Sequence, residues 1–292
     1  MRAGRKKPAG SVAGVENNPG RTGRSGPVKR LYLASLSSSS TCGNAYLVWD
    51  DAFRPILVDC GISLRRLTGS LRELGMEPPD VTALFITHEH SDHIRAMCLA
   101  TPVAQRFGIP VYASQGFWEW YRENMARRIA LDLVRVISPG QSVLVSGLTV
   151  SAFAKPHDAR EPLGFVVESG GERAGFAMDL GHVPYGVETL LTGLEHLVFE
   201  SNHDVEMERT SGRPYFIIRR VLGDLGHLSN EQAADSLSRM VTARTREVVL
   251  AHLSIQCNTP AMARDAVASR LQAAGKHPAI YTAPPGGLAV YR

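Results

Sequence analysis

The sequence lacks any long apolar run. Its hydrophobic stretches fall short of the roughly 18–20 consecutive apolar residues that a membrane-spanning helix requires. The charged N-terminus also lacks the apolar segment of a secretory signal. It is rich in arginine and poor in acid, as organelle transit peptides are, but its glycines and prolines disfavour the amphipathic helix that such peptides form. We therefore expect a protein with no membrane partner.

Cysteine is scarce, and its four copies lie far apart at Cys42, Cys60, Cys98 and Cys257. No two of them form a C-x-x-C pair, which argues against a zinc ribbon or a redox-active dithiol. Without a secretory signal, reduced thiols and a cytoplasmic location are expected. Any metal ion must be held by other side chains.

The excess of positive charge is small and is confined to the N-terminus. The 292 residues include 32 Lys and Arg against 28 Asp and Glu. Residues 1–30 hold eight basic residues and one acidic residue, a balance of +7, which leaves 24 basic and 27 acidic residues in 31–292, a balance of −3. The body is therefore mildly acidic, which excludes a basic coat protein of nucleic acid.

Composition divides the chain into a tail and a domain. Residues 1–29 are rich in Gly, Pro, Ser and basic side chains and contain few apolar residues, which predicts a disordered basic tail. We favour a solvated tail over a dedicated nucleic-acid arm. Residues 30–292 are predicted to form one domain, since their apolar content supports a sizeable core.

Short strands alternate with helices throughout this domain. Leucines at 64, 67, 71 and 74 indicate an amphipathic helix. The predicted helices span 63–75, 93–107, 116–130, 184–191, 230–242 and 260–273. The predicted strands span 31–34, 44–49, 55–59, 81–87, 110–113, 143–145, 148–154, 163–168, 173–178, 195–200, 247–251 and 278–281. Two strand-rich halves with helices outside predict an α+β fold, a four-layer αββα sandwich.

The strongest chemical motif is Thr87–His93, THEHSDH. Three imidazoles and the carboxylate of Asp92 lie within six residues, directly after an apolar strand. A strand end is rigid, and side chains two residues apart in the following turn converge on one point. Imidazole and carboxylate ligate Zn²⁺ or Mn²⁺ without a thiolate. The motif therefore predicts a metal site.

Three more candidate ligands each follow a predicted strand, and one metal ion requires three or four ligands. These candidates are His157, Asp179 and His252. The complete predicted set of metal ligands is His88, His90, Asp92, His93, His157, Asp179 and His252.

The order His-x-His-x-Asp-His, followed by His, Asp and His at strand ends, resembles the metallo-β-lactamase superfamily. Asp59 in the segment VDCG matches that superfamily's first motif, whose Asp orients the metal loop. Other segments resemble the YycJ/WalJ group of DNA exonucleases over roughly residues 31–285. They are SSSSTCGNAYL at 37–47, ESNHD at 200–204, GHLSN at 226–230 and LAHLS at 250–254.

The resemblance implies the αββα fold and two divalent metal ions, Zn²⁺ or Mn²⁺, that share a hydroxide for attack on a phosphate. The implied ligands of the first ion are His88, His90 and His157. Those of the second are Asp92, His93 and His252, with Asp179 bridging the two ions.

The implied catalytic residues are Asp92, Glu200 and His227. Glu200 and His227 resemble a pair in the tRNA 3′-processing nucleases, in which Glu200 would orient the His227 imidazolium so that it protonates the leaving oxygen. His227 is equally compatible with the start of a helix capped by Ser229 or Asn230, whose N-terminus would attract a phosphate.

A second set of residues is expected to support the ligands or to contact substrate. It consists of Asp59, Asn202, His203, Ser229, Asn230, Arg219 and Arg220, and a supporting role is favoured for His203. Arg213, Arg219 and Arg220 with Tyr215 and Phe216 are candidates to grip a nucleic-acid backbone and stack bases. A solvated basic helix is an equal alternative. His196 and His277 are expected at the surface.

These expectations favour a dinuclear-metal phosphodiesterase, a 5′→3′ exodeoxyribonuclease acting on DNA ends. One alternative is an RNA-processing nuclease of the same superfamily, which often carries an inserted domain that this sequence lacks. Another is an ester, thioester or lactam hydrolase, which would not use Glu200 and His227. A metal-stabilised regulatory binder is the non-enzymatic alternative, and the intact ligand set argues against it.

Overall fold

A computed structural model describes residues 30–126 and 129–291, and the predicted tail lies outside them. Fourteen strands in these residues form two sheets of seven. The strands are β1 Leu31–Ser37, β2 Ala45–Asp50, β3 Ile56–Val58, β4 Ala83–Phe85, β5 Val111–Ala113, β6 Val134–Val136, β7 Ser142–Val145, β8 Leu148–Ala154, β9 Leu163–Ser169, β10 Glu172–Ala177, β11 His196–Glu200, β12 Glu247–Ala251, β13 Ala279–Thr282 and β14 Ala289–Tyr291. The first sheet has the order β14-β1-β2-β3-β4-β5-β6, and the second has the order β13-β12-β11-β10-β9-β8-β7.

Nine α-helices of the described residues accompany the sheets. They are α1 Leu64–Glu73, α2 Ser91–Ile94, α3 Val103–Phe107, α4 Gln115–Asn124, α5 Tyr185–Leu191, α6 Val205–Arg209, α7 Tyr215–Val221, α8 Asn230–Met240 and α9 Pro260–Ala273. α1 begins where the Ser63 side chain accepts a hydrogen bond from the Arg66 backbone N–H, the usual device for satisfying the free donors of a first turn.

Three hydrophobic clusters build four layers. One cluster fills the space between the sheets, where Tyr46 and Phe85 of the first sheet meet Phe165 and Phe176 of the second. A second cluster packs α1 and α4 against the outer face of the first sheet. The third packs α5, α8 and α9 against the outer face of the second. This arrangement confirms the predicted αββα sandwich.

Strand direction brings several loops together at one edge of the sandwich. β3, β4, β5 and β6 run parallel to one another, as do β10, β11, β12 and β13. A backbone hydrogen bond of 2.8 Å from Leu163 N to Thr87 O joins the end of β4 to the second sheet. We call the edge formed by the loops after Val58, Phe85, Ala154, Ala177, Glu200 and Ala251 the ligand edge.

The structure departs from the predicted elements where tertiary contacts override the local pattern. The helix predicted at 93–107 is broken, because α2 gives way to a 3₁₀ turn at Arg95–Met97 and α3 starts only after the extended Pro102. Backbone bonds with Cys60, from Cys60 N to His93 O and from Ala96 N to Cys60 O, hold this segment in place. The three-residue strands β6 and β14 and the short helices α6 and α7 have no counterpart among the predicted elements.

Candidate metal centre

All seven predicted ligands meet at the ligand edge. The loop after β4 supplies two of them, α2 supplies Asp92 and His93, and the loops after β8, β10 and β12 supply one each. The possible ligand atoms of these seven residues, together with those of Glu200 and His227, form four groups in which all members lie within 4.8 Å of one another. The groups are His88–His90–His157, Asp92–His93–His252, His88–His93–Asp179 and Asp179–Glu200–His227–His252.

The first group contains three imidazoles. His88 Nε2 lies 3.0 Å from His90 Nδ1, and His157 Nε2 lies 3.2 Å from the same atom. His88 and His157 are buried, whereas the His90 side chain is 29% exposed. Three nitrogen atoms that approach one point from three directions form the donor set that Zn²⁺ and Mn²⁺ accept.

The second group combines a carboxylate with two imidazoles. Asp92 Oδ2 lies 3.3 Å from His252 Nε2 and 3.4 Å from His93 Nε2. The side chain of Asp92 is 16% exposed, and the two histidines are buried. These three residues fit a second divalent cation.

Asp179 lies between the two groups. Its Oδ2 is 3.1 Å from His93 Nε2, and its Oδ1 is 3.3 Å from His252 Nδ1 and 3.8 Å from His157 Nε2. The buried Oδ2 has no hydrogen bond of suitable geometry. A buried carboxylate oxygen without such a partner is costly unless a cation satisfies it, so the site fits a bound metal.

Three strand-end residues hold left-handed backbone conformations. The φ angles of Asp59, Asp179 and His252 are 59°, 57° and 57°. This region is uncommon for residues other than glycine and carries a conformational cost of about 1–3 kcal/mol. Each residue turns the chain sharply at the end of β3, β10 or β12, which directs its side chain toward the centre.

Asp59 connects the metal loop to β3. It accepts hydrogen bonds from Thr87 N and Oγ1, both at 2.8 Å, and its Oδ2 lies 2.7 Å from His93 Nδ1. Contacts of this kind fix the orientation of a ligating imidazole and direct its other nitrogen toward the metal. The geometry therefore places Asp59 where it orients the loop.

Glu200 lies beneath the centre and contacts two histidines. Its Oε1 is 2.9 Å from both His227 Nδ1 and His252 Nδ1. Its Oε2 accepts hydrogen bonds from the backbone N–H groups of Leu180 and Leu228. Burial alone would raise the pKa of Glu200, but the charge and hydrogen bond of His227 and the hydrogen bond of His252 hold the pKa below its usual range.

The histidines of the centre differ in protonation. Burial alone would lower the pKa of His252, but Asp179, Asp92 and Glu200 raise it to about 10. Burial and neighbouring cations lower the pKa of His157 to about 3. Protons on His252 would have to leave before its nitrogen could bind a cation, so we expect metal uptake to release protons.

Most of the predicted supporting residues are buried behind the ligands. Asn202 Nδ2 donates to His252 O at 2.7 Å, and Asn230 N donates to His203 O at 2.9 Å. Ser229 is the N-cap of α8 and accepts a hydrogen bond from Gln232 N. His203 is also buried and lies outside the four ligand groups. These four predicted residues therefore lie inside the protein, in contact with a ligand-bearing loop or with one another.

Arg220 and Arg219 differ in their surroundings. Arg220 forms a two-pronged ion pair with Asp158, whose Oδ1 lies 3.4 Å from His157 Nε2. Arg219 lies over the ring of Tyr215, with its guanidinium carbon 6.0 Å from the ring centroid. Tyr215 and Phe216 are 73% and 70% exposed. Arg220 is thus engaged within the protein, and Arg219 with the two aromatic rings remains accessible.

Sequence reasoning overlooked two residues at the centre. Lys155 is buried and donates from Nζ to Met178 O at 2.6 Å, next to Asp179. Burial lowers the pKa of Lys155, although Asp179 and Asp59 oppose this effect. Ser38 Oγ accepts a hydrogen bond of 2.7 Å from His252 N. The one sequence signal that pointed to Lys155 was its position two residues before His157.

The expected surface position of His196 is wrong. His196 is 2% exposed and its Nδ1 lies 2.7 Å from Glu247 Oε1 on the neighbouring strand. The pairing of β11 with β12 buries both side chains. His277 is exposed, as expected.

Comparison with known proteins identifies the family. The family described as "Beta-lactamase superfamily domain" matches residues 54–253. Exodeoxyribonuclease YycJ of Bacillus anthracis is 33% identical over 84% of this chain and 90% of its own length, and Exodeoxyribonuclease WalJ of Streptococcus pneumoniae is 28% identical over 82% and 88%. The metallo-β-lactamase fold protein YhfI of Bacillus subtilis superposes with a TM-score of 0.67 at 16% identity, covering 89% of this chain and 99% of YhfI. The chain therefore belongs to the β-lactamase superfamily, within it to the group that contains YycJ and WalJ, and is a metal-dependent hydrolase.

Proposed function

We propose that this protein is a dinuclear-metal phosphodiesterase that degrades DNA from its ends in the 5′→3′ direction. The observation that carries the proposal is the His227–Glu200 contact directly beside a centre of seven ligands. A lactam or thioester hydrolase has no need of this pair. The names of the relatives from Bacillus anthracis and Streptococcus pneumoniae support DNA as the substrate.

The ligand groups are suited to two divalent cations, Zn²⁺ or Mn²⁺. His88, His90 and His157 would hold one, and Asp92, His93 and His252 the other, with Asp179 shared between them. When bound, such a pair lowers the pKa of coordinated water and neutralises charge on a phosphate. Asp59 and Glu200 keep the imidazoles in the required orientation.

His227 is suited to protonate the leaving oxygen. Glu200 Oε1 engages its Nδ1, so Nε2 is the nitrogen left for the substrate. Its side chain is 12% exposed, enough to reach the mouth of the site without full solvation. A general acid in this position stabilises the departing oxygen and typically contributes about 10²–10⁴-fold to the rate.

Few side chains of the site reach the surface, which favours attack on a strand end. Apart from His227, only His90 and Asp92 among the proposed ligands and catalytic residues are partly exposed, at 29% and 16%. A single strand entering by its end would bring one phosphate to these groups.

Four unpaired cysteines support the reducing cytoplasm as the location of this protein. Among the described helices, none has the length and apolar character of a membrane span.

The decisive experiment compares substrates and labels. The metal-loaded protein would be incubated with single-stranded DNA, duplex DNA and RNA labelled at either end, and with a thioester. Mononucleotides released first from the 5′ end of DNA would support the proposal, with Asp179→Asn as the inactive control. Cleavage of the thioester alone, preferred cleavage of RNA, or less than one equivalent of bound metal would each overturn it.

A further inference from the structure

A polar cavity of about 400 Å³ lies on the outer side of the first sheet, between α1 and the loop before β14. Two segments form most of its wall. One is α1 along its whole length, from its N-cap Ser63 through Arg65 and Arg66 to Glu73, and the other is the loop at 284–288, with Gly286 and Gly287. None of these residues has a part in the chemistry proposed above.

Both segments extend directly from the centre. β3 ends at Val58, the ligand-orienting Asp59 follows, and α1 begins five residues later. The loop at 284–288 crosses from β13 to β14 along the ligand edge, because β13 ends there and β14, antiparallel to β1, starts there. Pro284 O accepts from Ser38 N, and Ser38 Oγ in turn accepts from His252 N. Two hydrogen bonds through Ser38 thus join the loop that forms one wall of the cavity to the metal ligand His252.

Positive charge exceeds negative charge on the wall of this cavity. Within residues 30–126 and 129–291, neither Arg65 nor Arg66 lies within ion-pair distance of a carboxylate. On the other flank of the centre, by contrast, Arg220 is paired with Asp158, and Arg213 with Glu208. The one carboxylate on the cavity wall is Glu73, at the far end of α1.

Gly286 gives the Arg66 guanidinium room against the loop. It has a φ of +73°, and a Cβ at this position would come within 2.7 Å of Arg66 Nη1. The absence of a side chain therefore leaves the guanidinium at the cavity wall, with the free N–H groups of the first turn of α1 nearby. Unpaired guanidinium groups with N–H donors form a surface that fits phosphate oxygens.

We propose that this cavity binds the sugar–phosphate backbone of the DNA strand, next to the nucleotide that is being cut. The proposal rests on the proposed function, because it takes the substrate to be a nucleic-acid strand. It assigns strand binding to Arg65 and Arg66 of α1 rather than to Arg220 of α7. Contacts to backbone phosphates provide affinity without reading sequence.

The test uses an Arg65→Ala/Arg66→Ala variant and a matched control, Arg72→Ala/Arg270→Ala. The control removes two exposed arginines, one on α1 and one on α9, whose side chains do not line the cavity and whose surface ion pairs contribute little. Single-stranded oligothymidylates of increasing length and bis(p-nitrophenyl) phosphate serve as substrates. Metal content and melting temperature verify that each variant is folded.

For the cavity variant, we expect the KM for long strands to rise about tenfold and the salt-dependence slope to fall by about 0.7 for each phosphate that the variant no longer neutralises. Turnover of bis(p-nitrophenyl) phosphate should be unchanged, because this small substrate, when bound at the metal centre, does not extend into the cavity. Glu73→Gln should lower the KM. An unchanged KM and slope, or an equal change in the control, would overturn the proposal. If the wild type cuts no DNA strand, the proposed function itself fails.

Discussion

His227 is the residue on which phosphodiester chemistry depends most directly. Its Nδ1 contacts Glu200 and lies 3.6 Å from Asp179 Oδ1. It is nevertheless absent from the two groups proposed to hold the metal ions, His88–His90–His157 and Asp92–His93–His252. We expect His227→Ala to lower DNA turnover by about 10²–10⁴-fold, because the variant has no general acid. Metal content, measured by elemental analysis, should be unaltered. Undiminished turnover would refute the donor role, and a metal content lower by one equivalent would reassign His227 as a ligand.

Glu172 links acid stability to a site far from the metal centre. It is 4% exposed, accepts a hydrogen bond from Leu31 N and pairs with Arg246, with His196 nearby. Burial alone would raise the pKa of Glu172, but the Leu31 and Arg246 contacts hold it below its ordinary value. Its folded pKa is therefore below the unfolded one. Its contribution is complete above the unfolded value of about 4.3 and disappears as the pH falls through the folded value.

Glu172→Gln should accordingly be less stable than the wild type at pH 7, by about 1–2 kcal/mol, because Arg246 no longer has a charged partner. Between pH 5 and pH 3 the free energy of unfolding of the variant should fall less than that of the wild type. Urea unfolding at a series of pH values measures both effects. Glu168→Gln, on the exposed side of β9, is the matched control and should follow the wild type. Parallel pH profiles for Glu172→Gln and the wild type would contradict the assignment.

Individual residues were predictable where position along the chain reveals their role. His157, Asp179 and His252 each follow an apolar strand, and this alone placed them at a common edge. His196 also adjoins an apolar strand, but it begins the strand rather than following it. Its partner Glu247 is 51 residues away, so only the sheet register reveals that both are buried. Lys155 was missed because a single buried cation leaves no periodic signal.

At the scale of elements, the contact between the metal loop and the turn after β3 is the tightest in the site. A Cβ on Gly61 would lie 1.5 Å from Asp92 O, closer than non-bonded atoms can approach. Gly61→Ala should displace the backbone of Asp92 and His93, and we expect it to bind one metal equivalent fewer and to melt at a lower temperature. Gly186→Ala, in α5 with open space around the new methyl group, is the control and should preserve metal content. Full metal content in Gly61→Ala would contradict this account.

Elements were predicted well where an apolar run or a helical period was continuous. β8 and β12 have the predicted bounds because their apolar patterns are continuous, and α9 has them because its N-cap Thr259 and the following Pro260 mark its start. β6 and β14 contain three residues each and are half exposed, so their pairing with β5 and β1 defines them rather than their composition. The broken helix at 93–107 has the same cause, because backbone bonds to Cys60 override a helical pattern.

The whole molecule has an uneven distribution of charge. The N-terminal 30 residues carry a balance of +7 and the remainder carries −3, and part of that negative charge is Asp92 and Asp179. Two bound divalent cations would add four positive charges at the centre, so the field that a phosphate meets there differs from the sum over side chains. We expect the tail to add salt-sensitive affinity for DNA and no rate.

Deleting residues 1–28 should therefore reduce the salt dependence of DNA binding while preserving turnover at saturating substrate. The deletion removes six basic residues and one acidic residue. Binding measured over a range of salt concentrations should give a shallower slope, roughly in proportion to the number of phosphates that the tail neutralises. A variant whose tail residues are scrambled should keep the wild-type slope. Reduced turnover at saturating substrate would show that the tail contributes to catalysis.

The pairing of β14 with β1 has a consequence for how the enzyme acquires activity during synthesis. β1 lies at Leu31–Ser37, and its partner at Ala289–Tyr291 leaves the ribosome more than 250 residues later. The bond from His252 N to Ser38 Oγ spans 214 residues of the same chain. Contacts of such long range form late and slowly in folding. The nascent chain therefore cannot assemble the complete centre until nearly all of it has emerged, so a prematurely terminated copy would be inert toward DNA.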